Sequence, residues 1–110
     1  MTTKKKGENY DRIIVALDTP DRASAESLVG RLKGTISFFK VGPIPFTLAG
    51  PAFVNWLKDQ GMRVFLDLKF HDIPHVVEQA CRNATLLGAD MLTVHASGGL
   101  EMMKAARAGC

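Results

Sequence analysis

One otherwise apolar stretch of the 110-residue sequence, residues 63–74, contains charged side chains whose spacing suits acid–base chemistry. Asp67 and Lys69 lie near the end of a predicted β-strand, and Asp72 follows just beyond it. Because side chains alternate faces along a strand, Asp67 and Lys69 are expected to point the same way. Charges rarely remain in a buried strand unless they are paired. The pair is therefore either a structural ion pair or part of a site.

Two more charged residues take the corresponding place after other apolar segments. Residues 13–17 run directly into Asp18, and residues 36–42 contain Lys40 near their end. In barrels and open sheets of parallel strands, sites lie at the C-terminal strand ends. Because several segments place charges at this one edge, the pattern favours a site over an isolated ion pair.

Four strand-like segments alternate with helical patterns, repeating about every 25 residues, as in α/β proteins. The predicted strands cover residues 13–17, 36–42, the start of 63–74, and 91–95. The continuous apolar run of residues 13–17 predicts burial on both faces, as in parallel sheets. The predicted helices cover residues 23–32, 52–57, 75–87 and 100–108. The apolar residues predicted to face inward are Ala25, Leu28, Val29 and Leu32 in the first helix, Phe53, Val54 and Leu57 in the second, and Val76, Ala80, Ala84 and Leu87 in the third. Asp21 or Thr19 is expected to cap the first helix. Residues 43–45 contain two prolines and are excluded from a helix interior.

This alternation predicts a parallel sheet with right-handed crossovers, the α/β class of fold. A closed (β/α)8 barrel, the TIM barrel, takes about 250 residues, so four units make half of one. We predict a flexible tail at residues 1–10. Residues 11–110 are predicted to be the N-terminal half of a single barrel domain.

The charge, apolar runs and cysteine content of the sequence exclude several classes of function. The net charge is +3, and Lys4, Lys5 and Lys6 account for three of the positive charges. This basic segment is too short and too poor in aromatic residues for a nucleic-acid arm. The sequence has no apolar run suited to a signal peptide or a membrane span. The two cysteines, Cys81 and Cys110, lack metal-site spacing, and a reducing cytoplasmic setting is expected.

Asp67-Leu68-Lys69-Phe70-His71-Asp72-Ile73-Pro74 resembles the signature of the orotidine 5′-phosphate decarboxylase family. Segments 14–18, 39–42 and 93–96 support the resemblance in the same order and spacing. The Asp-x-Lys-x-x-Asp core is shared with related sugar-phosphate decarboxylases and hexulose-phosphate synthases. Those relatives usually carry glutamate at the position of Lys40, so Lys40 favours the nucleotide enzymes.

The resemblance implies conversion of orotidine 5′-monophosphate to uridine 5′-monophosphate in de novo pyrimidine biosynthesis, by a cytoplasmic homodimer without metal or organic cofactor. It implies that Lys69 stabilises and protonates the C6 carbanion, with Asp67 beside the departing carboxylate. Lys40 and Asp18 would contact ribose hydroxyls. Asp72 would enter the neighbouring subunit's site, and Ile73 would line the substrate pocket. Neither nucleic acid nor a membrane is an expected partner.

Two segments depart from the family pattern. His75-Val76 stands where the family usually has Asn-Thr, so a ribose contact is in doubt, and Pro43-Ile44-Pro45 is expected to shift its loop. The family's phosphate-gripping loop and arginine lie in the other half of the barrel, so this chain alone is predicted to be inactive. Three alternatives stay open: a magnesium-dependent 3-keto sugar-phosphate decarboxylase, a non-catalytic half-barrel, and metal binding by His71 and His75.

Overall fold

The computed structural model describes residues 9–110, and most of the predicted tail, residues 1–10, lies outside this range. A short 3-10 helix, Asn9–Arg12, begins the described part. The four strands are β1 (Val15–Ala16), β2 (Phe38–Val41), β3 (Arg63–Phe70) and β4 (Met91–Val94). The four main helices are α1 (Arg22–Leu32), α2 (Pro43–Asp59), α3 (Pro74–Leu87) and α4 (Leu100–Gly109). No helix of this part of the chain is long and apolar enough to span a membrane.

The strands form one parallel sheet in the order β1-β2-β3-β4. Each pair of neighbouring strands is joined through a helix, as the alternating pattern predicted. The α/β fold class is therefore confirmed, with four β/α units. Parallel neighbours in chain order bring all four C-terminal strand ends to one edge of the sheet.

The first strand is shorter than predicted. Its predicted range, residues 13–17, was expected to be buried on both faces, but β1 covers only two residues. Ile13 and Ile14 are 45% and 36% exposed, whereas Leu17 is fully buried. The prediction was wrong for the two isoleucines, which precede β1 and are left uncovered by the described part of the chain.

The first helix agrees closely with prediction. Asp21 is its N-cap, and its Oδ1 accepts a hydrogen bond of 2.7 Å from the backbone N–H of Ser24. This bond satisfies one of the helix's otherwise unpaired N–H groups. The predicted inward residues Ala25 and Val29 are buried. Leu28 and Leu32, also predicted inward, are partly buried and pack on the same core.

The second helix begins nine residues earlier than predicted, at Pro43 rather than residue 52. Proline suits a first turn because its missing N–H has no partner there anyway. The helix is broken at Gly50, whose φ of 58° and ψ of −151° are not helical, and Pro51 restarts it. The predicted inward residues of the second segment are all buried: Phe53, Val54 and Leu57.

The face of α3 that was predicted to be buried is buried at Ala84 and partly buried at Leu87, but it differs at other positions. Val76 was expected to face inward but is 42% exposed, and Ala80 is only partly buried. Val77 and Cys81 are fully buried instead. They pack against Met102 and Ala106, a second small core formed with α4. The prediction was wrong for Val76 because the buried face of α3 packs against α4 as well as against Phe70, Leu92 and Val94 of the sheet.

The main core lies between the sheet and helices α1 and α2, with Ala84 added from α3. Its strand members include Phe39, Val41, Val64 and Leu66. At the opposite edge from the charged strand ends, Asp90 Oδ2 accepts hydrogen bonds from the backbone N–H of Val64 (2.8 Å) and from Lys58 Nζ (2.7 Å). The sheet is thus fixed at its N-terminal edge by bonds independent of the candidate site.

Candidate active site at the C-terminal strand ends

The candidate site centres on Asp67, the one charged residue of the described part that is buried, at 7% exposure. Lys69 Nζ donates to both carboxylate oxygens, at 2.9 Å and 3.0 Å. Lys40 Nζ approaches Oδ2 from β2 at 3.4 Å. Thr93 Oγ1 donates to Oδ1 from β4 at 2.7 Å. Three neighbouring strands therefore converge on one carboxylate.

These contacts decide the ionisation of Asp67. The hydrogen bonds from Lys69 and then Thr93 hold the pKa of this carboxyl below its ordinary value, and they outweigh the opposing effect of burial. Asp67 is consequently ionised at neutral pH. The site is an alternating array of ammonium, carboxylate and ammonium, which is the expected pairing of Asp67 with Lys69 extended to Lys40.

Lys69 reaches Asp67 through an irregular backbone rather than by regular alternation along a strand. Its φ is 51°, the only positive φ of a non-glycine residue in the described part. The register between β3 and β4 shifts here: Leu66 pairs with Leu92, but Phe70 pairs with Val94. Residues 67–69 therefore lie opposite the single residue Thr93. Such bulges redirect side chains and are frequent beside active sites.

Thr93 belongs to the candidate site, and sequence reasoning did not single it out. Its hydroxyl donates to Asp67 and also accepts a 3.0 Å hydrogen bond from the backbone N–H of Lys69. Thr93 is the one polar residue in the otherwise apolar strand β4, which was an available signal. The contact itself depends on the register shift, which the sequence pattern does not reveal.

The other predicted site residues lie near the same edge but outside the hydrogen-bonded array. A methyl group added to Gly42 would lie 3.7 Å from Asp18 Oδ1 and 3.8 Å from the backbone oxygen of Asp67, so these three residues are neighbours. Asp72 is exposed, and its Oδ1 accepts a 2.7 Å bond from the N–H of Ile73. Ile73 is 63% exposed at the start of α3.

Histidines border the site without joining the array. The rings of His71 and His95 stack with centroids 4.8 Å apart. His95 Nδ1 lies 2.6 Å from Ser97 Oγ and caps the short 3-10 helix Ala96–Gly98. His75 is exposed on the first turn of α3. Across residues 9–110, no three His, Cys, Asp or Glu side chains are grouped as a metal ion requires.

Fold and site together define a class: parallel β/α proteins that gather reactive side chains at the C-terminal ends of their strands. A family model described as "Orotidine 5′-phosphate decarboxylase / HUMPS family" matches residues 11–110. The chain therefore belongs to the orotidine 5′-phosphate decarboxylase / HUMPS family, as the sequence motifs indicated.

Individual relatives agree with this assignment. The chain is 57% identical over 98 residues to orotidine 5′-phosphate decarboxylase of Moorella thermoacetica, covering 89% of this chain and 39% of that protein. It is 54% identical over 99 residues to the enzyme of the same name from Nitrosospira multiformis, covering 90% of this chain and 41% of the relative. The chain thus spans about two fifths of the length of these curated relatives.

Solved structures show the same fold. Orotidine 5′-phosphate decarboxylase from Lactobacillus acidophilus superposes with a TM-score of 0.82 at 38% identity, over 88% of this chain and 44% of that one. An uncharacterized conserved protein from Geobacillus kaustophilus gives a TM-score of 0.83 at 49% identity, over 87% and 45%. The four β/α units are therefore a partial set of the units of a TIM-barrel family.

Proposed function

We propose that this chain supplies the N-terminal half of a (β/α)8 barrel that decarboxylates orotidine 5′-monophosphate to uridine 5′-monophosphate without a metal or organic cofactor. The observation that carries the proposal is the ionised Asp67, held 2.9 Å from Lys69 Nζ and 3.4 Å from Lys40 Nζ. A fixed array of alternating charge can stabilise developing charge without rearranging during the reaction.

In the proposed reaction the bond between C6 and the carboxylate carbon breaks, carbon dioxide leaves, and the electron pair remains on C6. Lys69 Nζ, the nearest mobile ammonium group to Asp67, transfers a proton to C6 and later regains one from water. Asp67 holds this ammonium in place by accepting hydrogen bonds from Nζ at both carboxylate oxygens, at 2.9 Å and 3.0 Å. No external electron acceptor is needed, because the electron pair left on C6 becomes the new C–H bond.

The remaining predicted residues receive binding roles in this proposal. Lys40 bridges the array and a ribose hydroxyl, and Asp18, beside Gly42 at the same edge, holds the ribose. Asp72 and Ile73 are exposed at the rim. They suit contribution to the site across the interface of a cytoplasmic homodimer, with Ile73 also contacting substrate. Val76 cannot donate a hydrogen bond, so no ribose contact is assigned to it.

Lys40 also distinguishes the proposed activity from that of the sugar-phosphate relatives. An ammonium group at this position adds positive charge next to Asp67, where a magnesium-dependent enzyme needs oxygen ligands. Magnesium is a hard cation that such a positive neighbour repels. The nucleotide activity is therefore preferred over decarboxylation of a 3-keto sugar phosphate.

The four-unit chain by itself is proposed to be inactive. The side chain of Lys69 is 61% exposed, so water screens its charge. Binding energy from distant parts of a substrate, such as a phosphate, contributes to catalysis of demanding reactions. In this proposal the second half of the barrel supplies both the cover over the array and the grip on the phosphate.

The decisive experiment joins this chain to the C-terminal half of the Moorella thermoacetica relative. Loss of orotidine 5′-monophosphate is followed by ultraviolet absorbance, for the chimeric chain and for the 110-residue chain alone. We expect turnover by the chimera and none above background by the shorter chain. A folded chimera, verified by circular dichroism, that leaves the nucleotide unchanged but decarboxylates a 3-keto sugar phosphate with magnesium would overturn the proposal.

A further inference from the structure

The hydroxyl of Thr93 makes two hydrogen bonds, and both go to the reactive segment of β3. It donates to Asp67 Oδ1 at 2.7 Å and accepts from the N–H of Lys69 at 3.0 Å. A hydroxyl has one proton to donate and lone pairs to accept with, so one group serves both residues. By contrast, the hydroxyls of Thr47 and Thr85 bond to carbonyls four residues earlier in their own helices.

The register shift explains why a side chain is needed at this point. Three residues of β3, numbers 67–69, lie opposite one residue of β4, so regular ladder bonds between backbones are interrupted. The N–H of Lys69 then bonds to the Thr93 side chain instead of a β4 carbonyl. This bond connects the one left-handed non-glycine residue of the described part to the neighbouring strand.

We infer that Thr93 is a positioning residue: its hydroxyl orients the Asp67 carboxylate and holds the backbone of Lys69 in the conformation that directs the ammonium group to that carboxylate. Asp67 and Lys69 are connected twice, directly at 2.9 Å and through Thr93. The positioning role of Thr93 rests on the proposed function, whereas its two hydrogen bonds are present independently of that function. Left-handed backbone persists in a non-glycine residue only when its surroundings enforce it, and Thr93 is the contact that does so.

The test uses the 110-residue chain and three variants. Thr93→Val replaces the hydroxyl by a methyl group of similar size, and Thr93→Ser keeps the hydroxyl. Thr85→Val is the matched control, because its hydroxyl bonds only to the Cys81 carbonyl of α3. Carbon-13 NMR titration follows the Asp67 carboxyl, and amide hydrogen exchange follows the N–H of Lys69. Neither measurement depends on catalysis.

We expect Thr93→Val to raise the pKa of Asp67 toward its ordinary value, because a hydrogen bond to the ionised form is lost. The Lys69 amide should exchange about tenfold faster, as loss of one hydrogen bond predicts. Thr93→Ser and Thr85→Val should match the parent in both measurements. If Thr93→Val is unfolded by circular dichroism, Thr93→Ala provides the same comparison with less bulk.

Unchanged Asp67 titration and Lys69 exchange in the folded valine or alanine variant would overturn the inference. So would a serine variant that behaves like valine, because the hydroxyl would then not be the active feature. In the chimeric barrel, Thr93→Val should lower kcat about 10- to 100-fold, with restoration by serine, as expected for misplacement of a reacting group. An inactive chimera would refute the proposed function and leave the titration result intact.

Discussion

Replacing Lys69 with methionine in the chimeric barrel should reduce turnover by at least about 10³-fold, the combined effect of losing a charge and a proton donor. Methionine has similar length and no charge, so the fold at this exposed position should persist. The parent ammonium lies 2.9 Å from the Asp67 carboxylate. A carbanion paired with this ammonium, as the carboxylate is in the parent, would lie at a comparable distance from Nζ.

The magnitude follows from this distance. Unit charges 2.9 Å apart interact by about 1.4 kcal/mol at the dielectric constant of water and about 6 kcal/mol at an effective value of 20. The first figure applies to the 61%-exposed lysine of the open chain and the second to a covered site. They correspond to about tenfold and about 10⁴-fold in rate, and general acid catalysis contributes about 10²- to 10⁴-fold more.

The assay is the ultraviolet loss of orotidine 5′-monophosphate, with Lys58→Met as the matched control. Lys58 forms an equally short ion pair, 2.7 Å from Asp90, but at the opposite edge of the sheet. Its replacement should leave kcat within about twofold, since surface ion pairs contribute little. Activity of the Lys69→Met chimera within tenfold of the parent would refute the assignment of Lys69 as proton donor.

Three further outcomes are expected of the 110-residue chain. Asp67→Asn should lower the free energy of unfolding, measured in urea at neutral pH. Because the folded pKa of Asp67 is lowered from 3.8, the difference in unfolding free energy from the parent should persist above pH 3.8 and vanish as the pH falls below it. A pH-independent difference would contradict this. Gly109→Ala should destabilise the chain by about 1–3 kcal/mol in urea, since the added methyl group would overlap the backbone of α3. Gly30→Ala is the matched control: the added methyl group would have no atom within 4 Å, so this variant should stabilise the chain by about 0.5–1 kcal/mol. Burial raises the pKa of Cys81 to about 11, so iodoacetamide at pH 8 should modify the exposed Cys110 first, as mass spectrometry of the digested peptides would show; equal rates would contradict the burial.

Much of the fold could be predicted because its determinants are local. Apolar runs predicted the strands, and Asp21 marked the start of α1 through a bond between residues three apart. The errors arose where distant contacts decide the outcome. Val76 and Val77 are adjacent and equally apolar, and packing against α4 together with residues of β3 and β4 buries Val77. Pro43 was misplaced because a proline that forbids a helix interior is acceptable in a first turn.

The candidate site was predictable in its charges and not in its geometry. Asp67 and Lys69 were predicted because charged residues in an apolar strand need to be paired. Lys40 lies near the end of another predicted strand, which placed it at the same edge of the sheet. The bulge that brings them together is a property of two strands in register, and alternation along one strand cannot reveal it. Thr93 was not predicted for this reason, since its hydrogen-bond partners Lys69 and Asp67 lie 24 and 26 residues away in the sequence.

At position 69 the left-handed backbone favours one kind of residue for stability, whereas the proposed chemistry requires another. Glycine and asparagine adopt a φ near 51° far more readily than lysine does, so the fold alone would prefer either of them there. A library diversified at this position and selected only for heat resistance should drift away from lysine. The same library placed in the chimeric barrel, and selected in cells whose growth requires the proposed decarboxylation, should return to lysine.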